Sequence, residues 1–181
     1  CGGLITLLNH KKIGHIFVSD ESVKQDFWSF AQKQKYFPPA ELHTIIDTCS
    51  FYIGNCKLKF LHPDKNYIPK DENNASLVCR LNTSTESILF TGDIEAEAEN
   101  YLVDNYAQEL NADYLKIPHH GSRSSSSVDF LEAVSPKEVW ITSSRKNIYR
   151  FPHPDTIQRI QKQQAKIYLT GNGTIRKMID S

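Results

Sequence analysis

The sequence predicts an α/β fold, with hairpin strands first and strands alternating with helices after them. Three observations carry this. A period-two run at 57–61 follows a Gly54-Asn55 turn signal. A helix-length pattern of 3.6-residue period occupies 95–110. Short apolar strands at 88–91, 114–117 and 138–142 are separated by that helix and by a second helical segment near 128–134.

Element by element, Leu4, Leu7 and Leu8 fall at helical spacing and open a short helix that ends near Gly14, and 15–19 reads as a strand. Ser22 can cap a helix in which Phe27, Phe30 and Ala31 recur, and Pro38-Pro39 stops it. Residues 42–47 are a strand, and 51–53 with 57–61 form a hairpin, Lys57 and Lys59 alternating with Leu58 and Phe60 as on a half-exposed sheet. A two-residue loop sets Cys49 opposite Phe60, not Cys56, so no disulfide is expected there. Residues 63–74 form a polar loop, the segment expected to be flexible. Residues 76–81 and 88–91 make a second strand pair. The 95–110 helix presents Ala98, Leu102, Tyr106 and Leu110 on one face, and acids between Asp93 and Glu99 stand near its positive end. The remainder alternates: strand 114–117, helix near 128–134, strand 138–142, helix near 155–164, then strands 166–169 and 174–178.

The 181 residues amount to one domain; 39% apolar residues is a little low and 23% charged is ordinary for a globular chain. No apolar run approaches the roughly 18 residues of a membrane helix, and no signal peptide is visible. Net charge is zero, so overall charge gives no argument for nucleic acid. Its distribution is uneven: eight acids and no Lys or Arg lie in 86–113, but eleven basic residues against five acidic follow from Lys116. A basic second half suits a polyanionic substrate, and two ordinary solvated faces explain it equally well. The cysteines at 1, 49, 56 and 79 form no CxxC pair, so a cysteine zinc site is not expected.

Two strand ends carry the chemistry. An apolar strand delivers Thr91-Gly92-Asp93, and another delivers Pro118-His119-His120-Gly121-Ser122, followed by four serines at 124–127. Imidazoles and a carboxylate at strand ends are the donors of a hydrolytic metal site. Asp93 reads as a metal ligand, with a helix N-cap as the plainer alternative. On an extended backbone neighbouring side chains alternate, so one histidine is expected at metal and the other at substrate: His120 as ligand, His119 as the catalytic substrate-side group. Gly121 permits a positive φ. Ser122, Ser125 and Ser126 can offer hydroxyls and backbone N–H groups to phosphate oxygens, or can be a plain turn. Asn147, Tyr149 and His153 lie in the loop after 138–142. Asn147 and His153 are catalytic candidates, and Tyr149 can bond a phosphodiester or stack on a base. His62 is placed on a surface loop; His10, His15 and His43 read as ordinary members of helix or strand patterns.

Taken in order, Asn73-Asn74-Ala75-Ser76-Leu77-Val78, Thr91-Gly92-Asp93, the acidic helix, His119-His120-Gly121-Ser122 and Asn147-Ile148-Tyr149-Arg150-Phe151-Pro152-His153-Pro154 resemble the C-terminal part of the metallo-β-lactamase-like domain of the ComEC family of DNA internalisation proteins. The resemblance implies a partial four-layer αββα sandwich and two divalent metal ions, zinc or manganese, with Asp93 bridging them. It implies metal-assisted phosphodiester hydrolysis, DNA as partner, no small organic cofactor, and a membrane channel in the same protein. The setting it implies is the bacterial inner membrane, with this domain on the outer face, acting in DNA uptake during competence. The sequence departs from the family twice. The family's His-x-His-x-Asp-His motif, followed by Gly-Gly, would stand immediately before Cys1-Gly2-Gly3. The expectation is therefore a single N-terminally truncated domain over 1–181 that binds metal weakly or not at all and is inactive as it stands. Phe151 stands where many relatives carry His, so that histidine's role is not carried over. Two other readings stay open: a free-standing phosphoesterase of the same fold, and a degenerate non-catalytic binding domain.

Overall fold

The computed structural model describes residues 7, 10, 12–23 and 40–178. The helices expected at 4–14 and around 27–31 fall mostly or wholly outside the described residues. Along the chain stand β1 (His15–Ser19), the one-turn α1 (Asp20–Val23), β2 (Glu41–Ile45), β3 (Cys49–Ile53), β4 (Cys56–His62), β5 (Val78–Asn82) and β6 (Ser87–Phe90). Then come α2 (Ala96–Leu110), β7 (Tyr114–Lys116), a 3₁₀ turn (Pro118–Gly121), α3 (Val128–Val134), β8 (Glu138–Ile141), α4 (Pro154–Lys162) and β9 (Lys166–Leu169).

Strands β3 to β9 form one mixed sheet in sequence order. The β3–β6 meander is antiparallel, and its first hairpin has the expected register, Cys49 opposite Phe60. From β6 onward the strands are parallel, because α2, α3 and α4 return the chain between them. Those helices bury Ala98, Leu102 and Leu110, then Phe130, Leu131 and Val134, then Ile160, in one core with Leu89, Leu115, Val139 and Ile141 of the strands. Parallel strands covered this way read as continuous apolar runs, which is how 88–91 and 114–117 look in the sequence. Among the described residues, β1 and β2 make a separate two-stranded parallel sheet. Phe17 of β1 ties it to the hairpin, 5.2 Å from Phe51 and 5.4 Å from Phe60 between ring centroids.

Three expectations need correction. Residues 174–178 form no strand; they run as coil after Gly173, whose φ of +145° turns the chain away from β9. Residue Lys177 there reaches Glu86 and lies over the Tyr114 ring instead. His62 is not on a surface loop: it ends β4 with 0% exposure, and its Nδ1–H donates to the Ser76 carbonyl at 2.8 Å. Alternation in β4 also fails toward its end, where Phe60, Leu61 and His62 are all buried under the 63–74 loop and the core. That loop supplies the cap α2 lacks. The Asn74 Oδ1 accepts the N–H groups of Glu95 and Ala98 at 2.9 and 3.3 Å, satisfying donors every helix start leaves open.

Candidate metal-type hydrolytic site

In parallel sheets, chemistry gathers at the carboxyl ends of the strands. Here the residues following β6, β7 and β8 meet in one cleft of about 530 Å³. Its walls are Asp93, His119, His120, Ser143, Asn147, Tyr149 and Phe151. The strand pairing β6–β7 sets Asp93 and the two histidines side by side.

Two glycines shape the turns. Gly92 has φ +55°, and a Cβ there would stand 2.6 Å from the Ser76 Cβ. Ser76 answers with its Oγ, which accepts the Asp93 N–H at 3.1 Å. Gly121 has φ +82°, and a Cβ there would stand 2.7 Å from the Pro152 Cβ. The turn and the 147–153 loop therefore touch at a point only glycine fits.

The histidine turn is not extended, which corrects the premise that adjacent side chains must diverge. His119 and His120 have φ of 45° and 54°, both in the left-handed region. Their rings share the cleft, with centroids 6.4 Å apart. His120 Nδ1 lies 2.6 Å from the Thr142 carbonyl and 3.0 Å from its Oγ1. A carbonyl only accepts, so Nδ1 carries a hydrogen and Nε2 is the nitrogen turned into the cleft. That Nε2 faces the Asp93 Oδ2 at 3.7 Å. His119 Nδ1 lies 3.0 Å from the Glu95 Oε1, which also accepts from Asn73 Nδ2 at 3.2 Å. Both imidazoles thus have one nitrogen fixed and the other turned loose. A histidine with its far nitrogen on a backbone carbonyl is the arrangement of a metal ligand.

Sequence reasoning missed Lys116, Glu95 and Thr142. Lys116 Nζ donates to the Gly92 carbonyl at 2.8 Å and stands 3.6 Å from the Asp93 Oδ1. Burial pushes its pKa down while Asp93 pulls it back up. Its place beside His119 in Lys116-Ile117-Pro118-His119 was a signal, since a lysine interrupting an apolar strand needs a partner. Glu95 lay in an acidic run and Thr142 at a strand end, with nothing in the sequence to single them out.

Of the other expected residues, Asn147 and Tyr149 line the cleft, and the serines and His153 do not. Ser122, Ser125 and Ser126 are buried, and none of them lines it. Ser125 Oγ donates to the Pro118 and Ser122 carbonyls, and the Ser126 and Ser127 N–H groups are held by the Glu99 carboxylate. Those hydrogen-bonding groups serve the turn itself. His153 caps α4: its Nδ1 accepts the Asp155 N–H at 3.2 Å. Asn147 lines the cleft, but its amide clamps its own loop, donating to Ser144 and Phe151 carbonyls and accepting the Phe151 N–H at 2.8 Å. Tyr149 stands at the rim, 70% exposed and stacked on Phe151 at 5.6 Å and 19°. Phe151 meets His119 edge-on at 5.5 Å.

Asp93 and His120 fit a divalent ion as a carboxylate–imidazole pair, with Nε2 aimed at an oxygen and the carbonyl behind the ring. Asp93 is not the helix N-cap, since that position is Glu95.

No family model matches the chain. It is 36% identical over 109 residues to ComE operon protein 3 of Bacillus subtilis, covering 60% of this chain and 14% of that protein. It is 35% identical over 114 residues to competence protein ComA of Neisseria gonorrhoeae, covering 62% of this chain and 16% of the relative. The chain thus spans about one sixth or less of the length of these relatives. Among solved structures, the metal-dependent hydrolase Tm1679 of the β-lactamase superfamily superposes with TM-score 0.58 at 12% identity, over 96% of this chain and 74% of that one. The metallo-β-lactamase-fold protein YhfI of Bacillus subtilis does so with TM-score 0.55 at 12% identity, over 97% and 71%. The fold is therefore of the metallo-β-lactamase type.

Proposed function

We propose that this chain, a relative of the ComEC-family competence proteins, carries part of a divalent-metal centre that hydrolyses nucleic-acid phosphodiesters. The observation that carries the reading is the Asp93 carboxylate facing His120 Nε2, with Nδ1 fixed on the Thr142 carbonyl. On this reading residues 1–181 act as one domain, the partner is DNA, and the ions are two, of zinc or manganese. The remainder of such a protein is a membrane channel, with this domain on its outer face.

Divalent ions, when bound, acidify water and polarise a phosphoryl oxygen. The residues do the rest. Asp93 and His120 hold the ions, Lys116 and Ser76 fix the turn that presents Asp93, and Thr142 fixes the His120 ring. His119 exchanges a proton through Nε2, with Glu95 setting its orientation. Tyr149 offers an exposed ring on which a base stacks. The 3.6 Å approach of the Lys116 ammonium to Asp93 favours one other reading, a binding domain in which lysine replaces the ion.

A cleavage assay on single-stranded DNA with zinc or manganese separates the two. The chain alone has two facing ligands among the described residues and is expected to be inactive. A fusion placing a His-x-His-x-Asp-His segment of a ComEC-family relative before Cys1 is expected to cleave, and Asp93→Ala or His120→Ala in that fusion to abolish cleavage. Activity that survives both substitutions removes the proposal; a folded, DNA-binding, inert fusion supports the binding domain.

A further inference from the structure

The β1–β2 pair carries a second cluster of metal-type donors, outside the cleft. We propose that His15, Glu41 and His43 form a site for a zinc-class cation that staples these two strands. In the parallel register His15 is paired with Glu41, and His43 follows two residues on, on the same face of β2. The three donor atoms form a tight triangle. His15 Nδ1 is 3.0 Å from His43 Nε2, and the Glu41 Oε2 is 3.6 Å from the first and 3.8 Å from the second. The point equidistant from these atoms is about 2.0 Å from each, which is the zinc–nitrogen and zinc–oxygen bond length.

Two further features suit a ligand set. The His43 ring is held by stacking on Phe17, at 5.0 Å and 22°, so its orientation is fixed by packing. The His15 and Glu41 side chains are 62% and 68% exposed, so the ion has a path in and water can complete its coordination. Two imidazoles and one carboxylate select zinc, nickel or copper over magnesium or calcium. The site also answers a structural need. A two-stranded sheet is marginal alone, and His15 and His43 lie 28 positions apart in the chain. An ion across them closes that loop and removes unfolded-state freedom.

Zinc titration by calorimetry tests this, in the full chain carrying Asp93→Ala and His120→Ala so that the cleft takes no ion. One equivalent of zinc should bind, with a rise in Tm. Adding His15→Ala and His43→Ala should weaken it by more than about 100-fold, since losing a hydrogen bond behind a ligand alone costs ~10–100-fold. Matching far-UV dichroism of the metal-free forms checks that both fold. Should the alanine pair unfold, Glu41→Gln, which changes only an exposed side chain, must lower zinc affinity with the metal-free Tm unchanged. Zinc binding indifferent to these substitutions, or absent from the starting variant, overturns the proposal.

Discussion

Glu99 couples α2 to the serine turn that follows the two histidines. It is fully buried on α2, and its two oxygens accept the backbone N–H groups of Ser126 and Ser127. Burial raises its pKa, against the pull of those two bonds. Glu99→Ala leaves the buried Ser126 N–H and the part-buried Ser127 N–H without their acceptor. Each orphaned group costs ~1–3 kcal/mol, so the pair costs ~2–6 kcal/mol. Relief from holding a carboxylate in apolar surroundings takes away the upper end, leaving a loss of about 3 kcal/mol. Glu99→Gln keeps one acceptor and sets an NH₂ against the other donor, so its cost should be about half as large. Urea unfolding followed by far-UV dichroism measures both. A loss under about 1 kcal/mol for Glu99→Ala, or equal losses for the two variants, would refute the assignment of these serines to the turn rather than to phosphate.

The remaining predictions concern the turns and the periphery. Thr142→Val removes only the Oγ1 contact to His120 and should weaken metal binding at the cleft by up to about tenfold, read by calorimetry, with the fold unchanged. Gly121→Ala should destabilise by about 2 kcal/mol or more in urea, because φ +82° and a 2.7 Å contact with Pro152 oppose any Cβ. Asp113 has its pKa lowered, chiefly by its bond to Lys137, so the stability it adds is present above the ordinary carboxylate range and lost as pH falls through the depressed native value; Asp113→Asn should flatten the acid limb of a Tm-against-pH profile below about pH 4. The exposed Tyr52 and Ile53 of edge strand β3, at 74% and 59%, should bind an apolar dye, and Tyr52→Ser with Ile53→Ser should reduce its fluorescence.

How much of this was legible follows from what each signal depends on. The strand ends are readable because apolar runs stop at polar chemistry: Asp93 and the two histidines stand just past the ends of the paired parallel strands β6 and β7. The hairpin register, Cys49 opposite Phe60, followed from a two-residue turn alone. What failed were judgements that need the third dimension. A serine run looks like phosphate-binding chemistry until Glu99, 27 residues from Ser126, takes its N–H groups. His62 looks like a loop residue until the Ser76 carbonyl covers it. His153 sits beside functional-looking residues, yet the Pro154 that follows marks it as a helix cap. The histidines' shared orientation depends on two left-handed residues in succession, which no side-chain period announces. His15 and His43 looked ordinary because nothing local pairs strands 28 residues apart.

The central claim is that Asp93 and His120 ligate one ion. Crystals of the chain soaked in millimolar zinc, with diffraction collected on both sides of the zinc edge, test it directly. An anomalous peak is expected between the Asp93 carboxylate and His120 Nε2, about 2 Å from each, with His120 Nδ1 still on the Thr142 carbonyl. A soaked crystal with zinc elsewhere and none at that position, or with Lys116 closed onto Asp93 in its stead, would contradict it.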